Sequence, residues 1–401
     1  MRPSTRFPAR VAFITARSAL WGETLRMDHG LGRFVDGLAA RFESMEIACV
    51  PNTQDASVYT HRLEAQNIKI HALPQMFGVK DGFGKSIQTH RIIADIESRN
   101  DVCYVQLPFA SPMALYGKRR PRVYHFCADI KKIVHQGNAY HGWQGFAARR
   151  LADFIEAEYF YLLSQRQTRF VSNGEALWSK YGKSRGRPVI SATMHQAEVD
   201  SVKRERSPEG DEHQIIFVGY LRPEKGVNTL LDAMELVWES EPHVSVKVVG
   251  PHVQTHSQTY AHIVSRCERY VSEGKMEFVG HRSFGVELFS ALANADMLVL
   301  PSLSEGTPRV LNEARAFRCP VIASEVGGIP SIIDHNKDGL LFPAGDASAL
   351  AAHIHRLITD QPFKNELIER GLERAKRSCI ENYIDVVYDE ITGLVSRNVS
   401  R

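Results

Sequence analysis

The sequence predicts an α/β protein built from two parallel-sheet domains, and three observations carry that reading. Short apolar runs of β-forming residues alternate with helix-patterned segments through both halves of the chain, the order produced by strands joined through crossover helices. The length of 401 residues exceeds what one core normally supports. A polar stretch from 184 to 213, with Gly186, Pro188, Pro208 and Gly210, interrupts the alternation and reads as a linker region.

In the first half, strands are expected near Val11 to Ile14, Ile47 to Val50, Ile68 to Leu73, Val102 to Gln106, Val123 to Phe126 and Arg169 to Val171. Helices are expected between them, notably Gly32 to Phe42 and Phe146 to Ser164. In the second half, strands fall near Ile215 to Val218, Val244 to Val249, Met276 to Val279, Met297 to Leu300, Val321 to Ala323 and Leu340 to Phe342. The expected division is a first domain over 1–190, a linker over 191–212 and a second domain over 213–375.

Composition is ordinary for a soluble globular protein, 43% hydrophobic and 24% charged. No apolar run approaches the roughly 20 residues that a bilayer span needs. The apolar segment Val11 to Thr15 is too short for a signal-peptide core, is broken by Arg17 and reads as the first strand. Cys49, Cys103, Cys127, Cys267, Cys319 and Cys379 show no paired spacing, which points to neither a zinc site nor a disulfide framework and fits a reducing cytoplasm.

Charge is divided unevenly. Residues 1–200 hold 27 Lys and Arg against 18 Asp and Glu, a balance of +9, while the remainder hold 22 against 28, a balance of −6. A basic first domain suits an anionic membrane or a diphosphate-linked lipid, with Lys118 to Arg122 and Lys131-Lys132 as basic patches and Trp143, Phe146 and Tyr159 to Tyr161 as interfacial aromatics. The competing reading is that each patch is a solvated face and each aromatic fills core. No nucleic-acid-binding motif accompanies the charge.

The most informative segment runs Ser304-Glu305-Gly306-Thr307-Pro308-Arg309-Val310-Leu311-Asn312-Glu313, directly after the apolar strand that ends at Pro301. A helix is expected to start there, with Thr307 as cap and Pro308 in the first helical position. The amides of Arg309 and Val310 then point back to the loop, where unpaired N–H groups and the helix dipole favour a phosphate. Gly306 allows a close backbone approach. Two carboxylates beside a bound diphosphate would repel it unless they meet hydroxyls, so Glu313 suits a ribose diol and Glu305 a sugar beyond the diphosphate. Taken alone, the pair also reads as two ordinary acids near a helix start.

Three stretches in order and spacing together resemble the nucleotide-binding domain of retaining glycosyltransferases of family four. They are Phe217 to Gly226 (Phe-Val-Gly-Tyr-Leu-Arg-Pro-Glu-Lys-Gly), Pro301 to Glu313, and Pro320 to Pro330 (Pro-Val-Ile-Ala-Ser-Glu-Val-Gly-Gly-Ile-Pro). The resemblance implies the GT-B fold, two Rossmann-like domains facing each other across a cleft whose closure excludes water. It implies that the C-terminal helix over 376–401 crosses back to the first domain. It implies that Glu305 lies near the donor sugar, Glu313 on the ribose and Lys225 on the diphosphate. It further implies a histidine or aspartate in the first-domain loop after Val123-Tyr124-His125-Phe126, where Asp129 is the first candidate and His125 the second.

The chain departs from that pattern twice. Tyr220 stands where the family usually has an arginine, with Arg222 two positions on as the substitute cation. Arg318-Cys319 stands where a glycine usually ends the helix.

The reaction implied is transfer of a hexosyl group from a UDP or GDP sugar to an acceptor hydroxyl with retention of configuration, in surface polysaccharide or glycolipid assembly. Lys225 and the amides of residues 307–310 would stabilise the leaving diphosphate. No metal is expected, because no Asp-x-Asp element stands in a suitable loop. No cofactor is expected either, the nucleotide sugar being a substrate. The expected partners are that donor, a sugar, glycolipid or lipid-linked acceptor, and peripheral contact with anionic membrane at the inner face of the cytoplasmic membrane. The alternatives are a nucleotide-sugar epimerase on a related scaffold and a non-catalytic nucleotide-sugar-binding subunit of a polysaccharide-assembly complex.

Overall fold

A computed structural model of the chain describes residues 6–21, 25–52, 59–75, 82–109, 112–117, 120–136, 142–182, 186–201, 212–250 and 258–399. The chain divides into two compact units, one comprising residues 1–193 and 380–401, the other 194–379.

In the first unit the order is β1 (Phe7–Leu20), β2 (Arg26–Met27), α1 (His29–Ala39), β3 (Phe42–Asn52), β4 (His61–Arg62), β5 (Ile68–Ala72), α2 (Gly82–Arg99), β6 (Val102–Leu107), β7 (Arg122–Phe126), α3 (Ile130–Gln136), α4 (Gly142–Ser164), β8 (Thr168–Asn173), α5 (Glu175–Tyr181) and β9 (Gly186–Val189). Strand β1 pairs in parallel with β3 on one side and β6 on the other. The sheet continues in parallel to β5 beyond β3 and through β7, β8 and β9 beyond β6. The two-residue strands β2 and β4 add antiparallel to it. The period of two in β1 divides its side chains between two cores. Val11 and Phe13 pack with α1, while Ala12 and Ile14 pack with residues of α2 and α4.

The second unit runs α6 (Gln196–Ser201), β10 (His213–Val218), α7 (Val227–Ser240), β11 (Val244–Val249), α8 (Gln258–Ser272), β12 (Met276–Gly280), α9 (Val286–Ala293), β13 (Met297–Leu300), α10 (Arg309–Ala316), β14 (Val321–Ser324), β15 (Leu340–Phe342), α11 (Ala347–Thr359) and α12 (Gln361–Lys376). Its parallel sheet has the order β12-β11-β10-β13-β14-β15. The chain therefore steps outward from β10 in one direction and then restarts on its other side with β13. That reversal leaves a crevice beyond the carboxyl ends of β10 and β13, where open α/β sheets bind ligands.

The last helix, α13 (Ile380–Val399), belongs to the first unit. Ile380, Ile384, Val387, Ile391 and Leu394 form a helical-period stripe buried against α1 and the sheet, with Tyr383 stacked on Phe34 at 4.4 Å.

Several expectations need correction. The helix expected over Gly32 to Phe42 is α1, capped by Asp28, whose carboxylate accepts from the Leu31 amide at 3.2 Å, and Phe42 opens β3 instead. Within the stretch read as linker, residues 186–189 pair with β8 as an edge strand, and residues 194–201 lie in the second unit with α6. Proline at position 188 misled that reading, although an edge strand accommodates it. Of the basic patch at 118–122, Lys118 and Arg119 lie outside the described residues, while Arg122 is no surface group. It is buried and pairs through two nitrogens with the equally buried Glu97 at 2.6 and 2.9 Å. Among the described residues no helix is long and apolar enough to cross a membrane.

Candidate functional site

Three loops meet at the reversal point of the second sheet, following β10, β13 and β14. Their contact depends on glycine. Gly226 has φ +68, and a Cβ there would stand 1.7 Å from the Pro301 carbonyl oxygen. Gly327 has φ +60, and a Cβ there would stand 1.8 Å from the Glu305 carbonyl oxygen. Only glycine takes both the left-handed backbone and the close approach without strain. Backbone bonds complete the join, from Leu303 N–H to Glu224 O and from Gly328 N–H to Gly306 O, both 2.8 Å.

The loop at 301–308 leads into α10. Thr307 does not cap that helix; Pro308 occupies the cap position with extended backbone, and no side chain accepts from the first-turn amides. Thr307 Oγ instead sits over Gly328, 2.7 Å from where a Cβ would be. The N–H groups of Arg309 and Val310 thus lack a side-chain acceptor and present the helix dipole to the crevice. At the other end of α10, buried Arg315 donates to Ile332 O at 2.8 Å and to Asp338 at 3.2 Å, and Arg374 reaches Asp338 at 3.0 Å. Arg318 supplies the left-handed residue, φ +60, that a glycine would normally supply after a helix.

The two glutamates are not ordinary solvated acids. Glu313 is only 5% exposed. The Glu305 side chain is 10% exposed, and its Oε1 accepts from Lys225 Nζ at 2.6 Å and from the buried Ser302 hydroxyl at 2.8 Å. Ser302 is in turn held by Ser324, whose hydroxyl donates to the Ser302 carbonyl. Oε1 is therefore occupied, and Oε2 is the oxygen that can accept from a sugar hydroxyl. Ser302 and Gly327 were not singled out from sequence as site residues, although both lie within the recurring stretches.

The cations separate into two groups. Lys225 faces Glu305, whereas Arg222 is exposed, lies over the Tyr220 ring at 5.0 Å and approaches Glu224 at 3.8 Å. Tyr220 is itself 42% exposed. Arg222 is thus held against Tyr220 and beside Glu224 on the loop.

In the first unit, His125 and Asp129 are not presented as free acid–base groups. His125 is fully buried, with the Tyr104 and Tyr383 hydroxyls at Nδ1 (2.5 and 3.2 Å) and Asn173 Oδ1 at Nε2 (2.9 Å). Burial pushes its pKa down to about 4, against the opposing effect of Asn173. It ties β7 to β8 and α13. Asp129 accepts from the Lys132 amide at 3.1 Å, capping α3, and pairs with Lys180 at 2.7 Å. Burial alone would raise its pKa, but Lys180 holds it below the usual carboxylate value.

Residues 199–374 match the family of group 1 glycosyl transferases. An uncharacterized glycosyltransferase of Methanocaldococcus jannaschii is 30% identical over 46% of this chain and 50% of its own length. An amylovoran biosynthesis glycosyltransferase of Erwinia amylovora is 32% identical over 36% of this chain and 35% of its own. The chain spans about half the length, or less, of these curated relatives. In three dimensions, Anabaena HepE in complex with UDP and glucose superposes with a TM-score of 0.64 at 16% identity, covering 95% of this chain and 99% of that one. The lipopolysaccharide outer core galactosyltransferase WaaB gives 0.66 at 14% identity, with 96% and 99% covered. Two parallel-sheet units with these neighbours establish the GT-B fold, and the match to the group 1 glycosyl transferases covers residues 199–374, the greater part of the second unit.

Proposed function

We propose that the chain is a retaining glycosyltransferase that moves a hexosyl group from a nucleoside-diphosphate sugar, a UDP or GDP sugar, to an acceptor hydroxyl in surface-polysaccharide or glycolipid assembly. The observation that carries this reading is the convergence of an uncapped helix N-terminus, Lys225 and two sequestered carboxylates at the reversal point of one sheet. Amides and Lys225 suit a diphosphate, and carboxylates suit the hydroxyls on either side of it.

In this reading Lys225 leaves Glu305 for the diphosphate when donor binds, and Glu313 meets the ribose. As the bond between the anomeric carbon and the diphosphate oxygen breaks, negative charge grows on the leaving group. Preorganised donors at Lys225, Thr307, Arg309 and Val310 stabilise it, each such donor contributing roughly 10²- to 10³-fold in rate. Pro308, which has no N–H, sets the helix entry. Glu305 holds the sugar, and the acceptor oxygen bonds to the anomeric carbon on the face the diphosphate leaves, its hydroxyl proton passing to the departing diphosphate oxygen. His125 and Asp129 are not carried forward as catalytic groups. The proposed partners are the nucleotide-sugar donor, a sugar, glycolipid or lipid-linked acceptor, and the anionic inner surface of a cytoplasmic membrane.

The test is thermal stabilisation of the purified protein by UDP, GDP, ADP, UDP-glucose, UDP-N-acetylglucosamine and GDP-mannose, repeated with Glu313→Ala and Lys225→Ala. One nucleotide stabilising the wild type, with both variants blunted, supports the site and names the base. Stabilisation by none of them removes the donor-site reading. Donor turnover without any acceptor would favour the epimerase, and binding without transfer or hydrolysis would favour the non-catalytic subunit.

A further inference from the structure

Helix α4 is apolar on two opposite faces, and the fold buries one of them while the other stays largely exposed. The inner stripe, Ala152, Ile155, Tyr159 and Leu162, recurs at helical period and is buried, with the Tyr159 hydroxyl accepting from the Phe109 amide at 2.8 Å. The outer stripe recurs at the same period. Trp143, Phe146, Phe154 and Tyr161 are exposed along it, with Phe160 beside them, and Trp143 is 78% exposed. A helix that covers a sheet normally turns polar residues outward; Tyr161 meets the Tyr116 ring at 5.7 Å and Phe160 the Tyr181 ring at 5.4 Å, which leaves Trp143, Phe146 and Phe154 as the aromatics unexplained by folding.

The charges on that outer face have one sign. Arg149 and Arg150 are exposed among the aromatics, and the Arg150 guanidinium lies over the Phe146 ring at 5.4 Å. The acids of α4 are withdrawn from it. Asp153 pairs with Lys131 at 3.0 Å, Glu156 pairs with Lys180 and Lys131, and Glu158 is only partly exposed. At the carboxyl end of α4 the aromatic surface runs into a pocket of about 280 Å³ lined by Phe160, Leu163, Phe170 and Tyr181.

We propose that the outer face of α4 is a membrane-docking surface that lies in the interface of a bilayer containing anionic lipid. Aromatic rings partition to the boundary between headgroup and acyl chain, and exposed arginines gain from the negative surface potential. A protein partner would be expected to meet mixed charge, whereas this face offers arginine and aromatic groups, with Asp153 and Glu156 paired to lysines and Glu158 only partly exposed. The +9 balance of residues 1–200 adds long-range attraction of the same sign. The inference is independent of the donor site, because docking requires no nucleotide.

The experiment is co-sedimentation of the full-length chain with vesicles of phosphatidylcholine alone or with one-quarter phosphatidylglycerol, with Trp143 emission followed alongside and Trp143→Phe as its control. Binding to the anionic vesicles, with a blue shift lost in Trp143→Phe, is expected. Arg149→Gln/Arg150→Gln should weaken it about fivefold per arginine. Phe146→Ser/Phe154→Ser should weaken it at least about tenfold, from the apolar surface removed. Both variants replace exposed side chains and should keep the wild-type circular dichroism and melting temperature, which separates docking from folding. No binding to either vesicle, or undiminished binding by both variants, overturns the proposal. So does a homodimer that dissociates in Phe146→Ser/Phe154→Ser without vesicle binding, which would assign the face to a second copy of the chain.

Discussion

Replacing Lys225 with methionine separates what this side chain does for the fold from what it does for the ligand. Its ammonium lies 2.6 Å from Glu305 Oε1, with the two side chains 26% and 10% exposed. Removing it leaves Glu305 with the Ser302 hydroxyl, 2.8 Å away, as its remaining donor on that oxygen. A partly exposed pair with one compensating bond should cost on the order of 1 kcal/mol of stability. For a unit of this size that lowers Tm by about 2–4 °C. The ligand effect is larger. A diphosphate losing one charge-assisted hydrogen bond forfeits about 1.5–3 kcal/mol, or roughly 10- to 150-fold in Kd. Charge grows further on the leaving diphosphate as the reaction proceeds, so kcat should fall by roughly 10²- to 10³-fold, and Lys225→Arg should recover part of both. Calorimetric titration with the nucleoside diphosphate gives Kd, and initial rates of nucleotide release give kcat. If Lys225→Met changes both by less than about twofold while Tm falls as expected, Lys225 is a structural partner of Glu305 and the phosphate assignment is wrong.

Three further outcomes follow from the geometry. His125, with pKa lowered to about 4, stays neutral in the folded chain while an unfolded histidine protonates near 6.5. Stability should therefore fall as pH drops from about 6.5 to 4, by about 3 kcal/mol; urea midpoints across that range should show a shallower slope in His125→Gln, and an identical slope would refute the buried neutral state. The Arg122–Glu97 pair is buried on both sides, so Arg122→Met alone should cost about 3–5 kcal/mol by stranding a carboxylate, and adding Glu97→Leu should recover much of it in denaturant titrations; a mild effect of the single variant would contradict burial. Gly327→Ala forces a Cβ to within 1.8 Å of Glu305 O at φ +60, so it should blunt nucleotide-induced thermal stabilisation at least about tenfold in affinity; unchanged nucleotide binding would separate the third loop from the site.

Much of the site was legible in the chain. The strand ending at Pro301, the helix start at Arg309 and the spacing of Glu305 and Glu313 are local features, and local sterics and hydrogen bonding decide where a strand stops and a helix begins. The cap itself was misassigned by one residue because Thr307 turns to Gly328, a neighbour far off in sequence. The same limit explains Arg122 and His125. Strand alternation places a side chain on one face of a sheet, but whether that face meets solvent, a glutamate from another helix or the hydroxyl of Tyr383 depends on packing. Aromatics in α4 posed the reverse problem, since one helical pattern holds both a buried and an exposed stripe.

By itself the sequence determined the two-sheet α/β class, the strand order in time along the chain and the identity of the glutamates, the lysine and Gly306 at one loop cluster. Only the tertiary structure decided that β10, β13 and β14 stand side by side, that Lys225 meets Glu305 across 80 residues of chain, that Glu313 is sequestered, and that His125 is buried against Tyr104, Tyr383 and Asn173. The division has a physical cause: backbone propensity and hydrophobic period act over a few residues, whereas burial, pKa and ion pairing are properties of the environment that distant segments create when they pack.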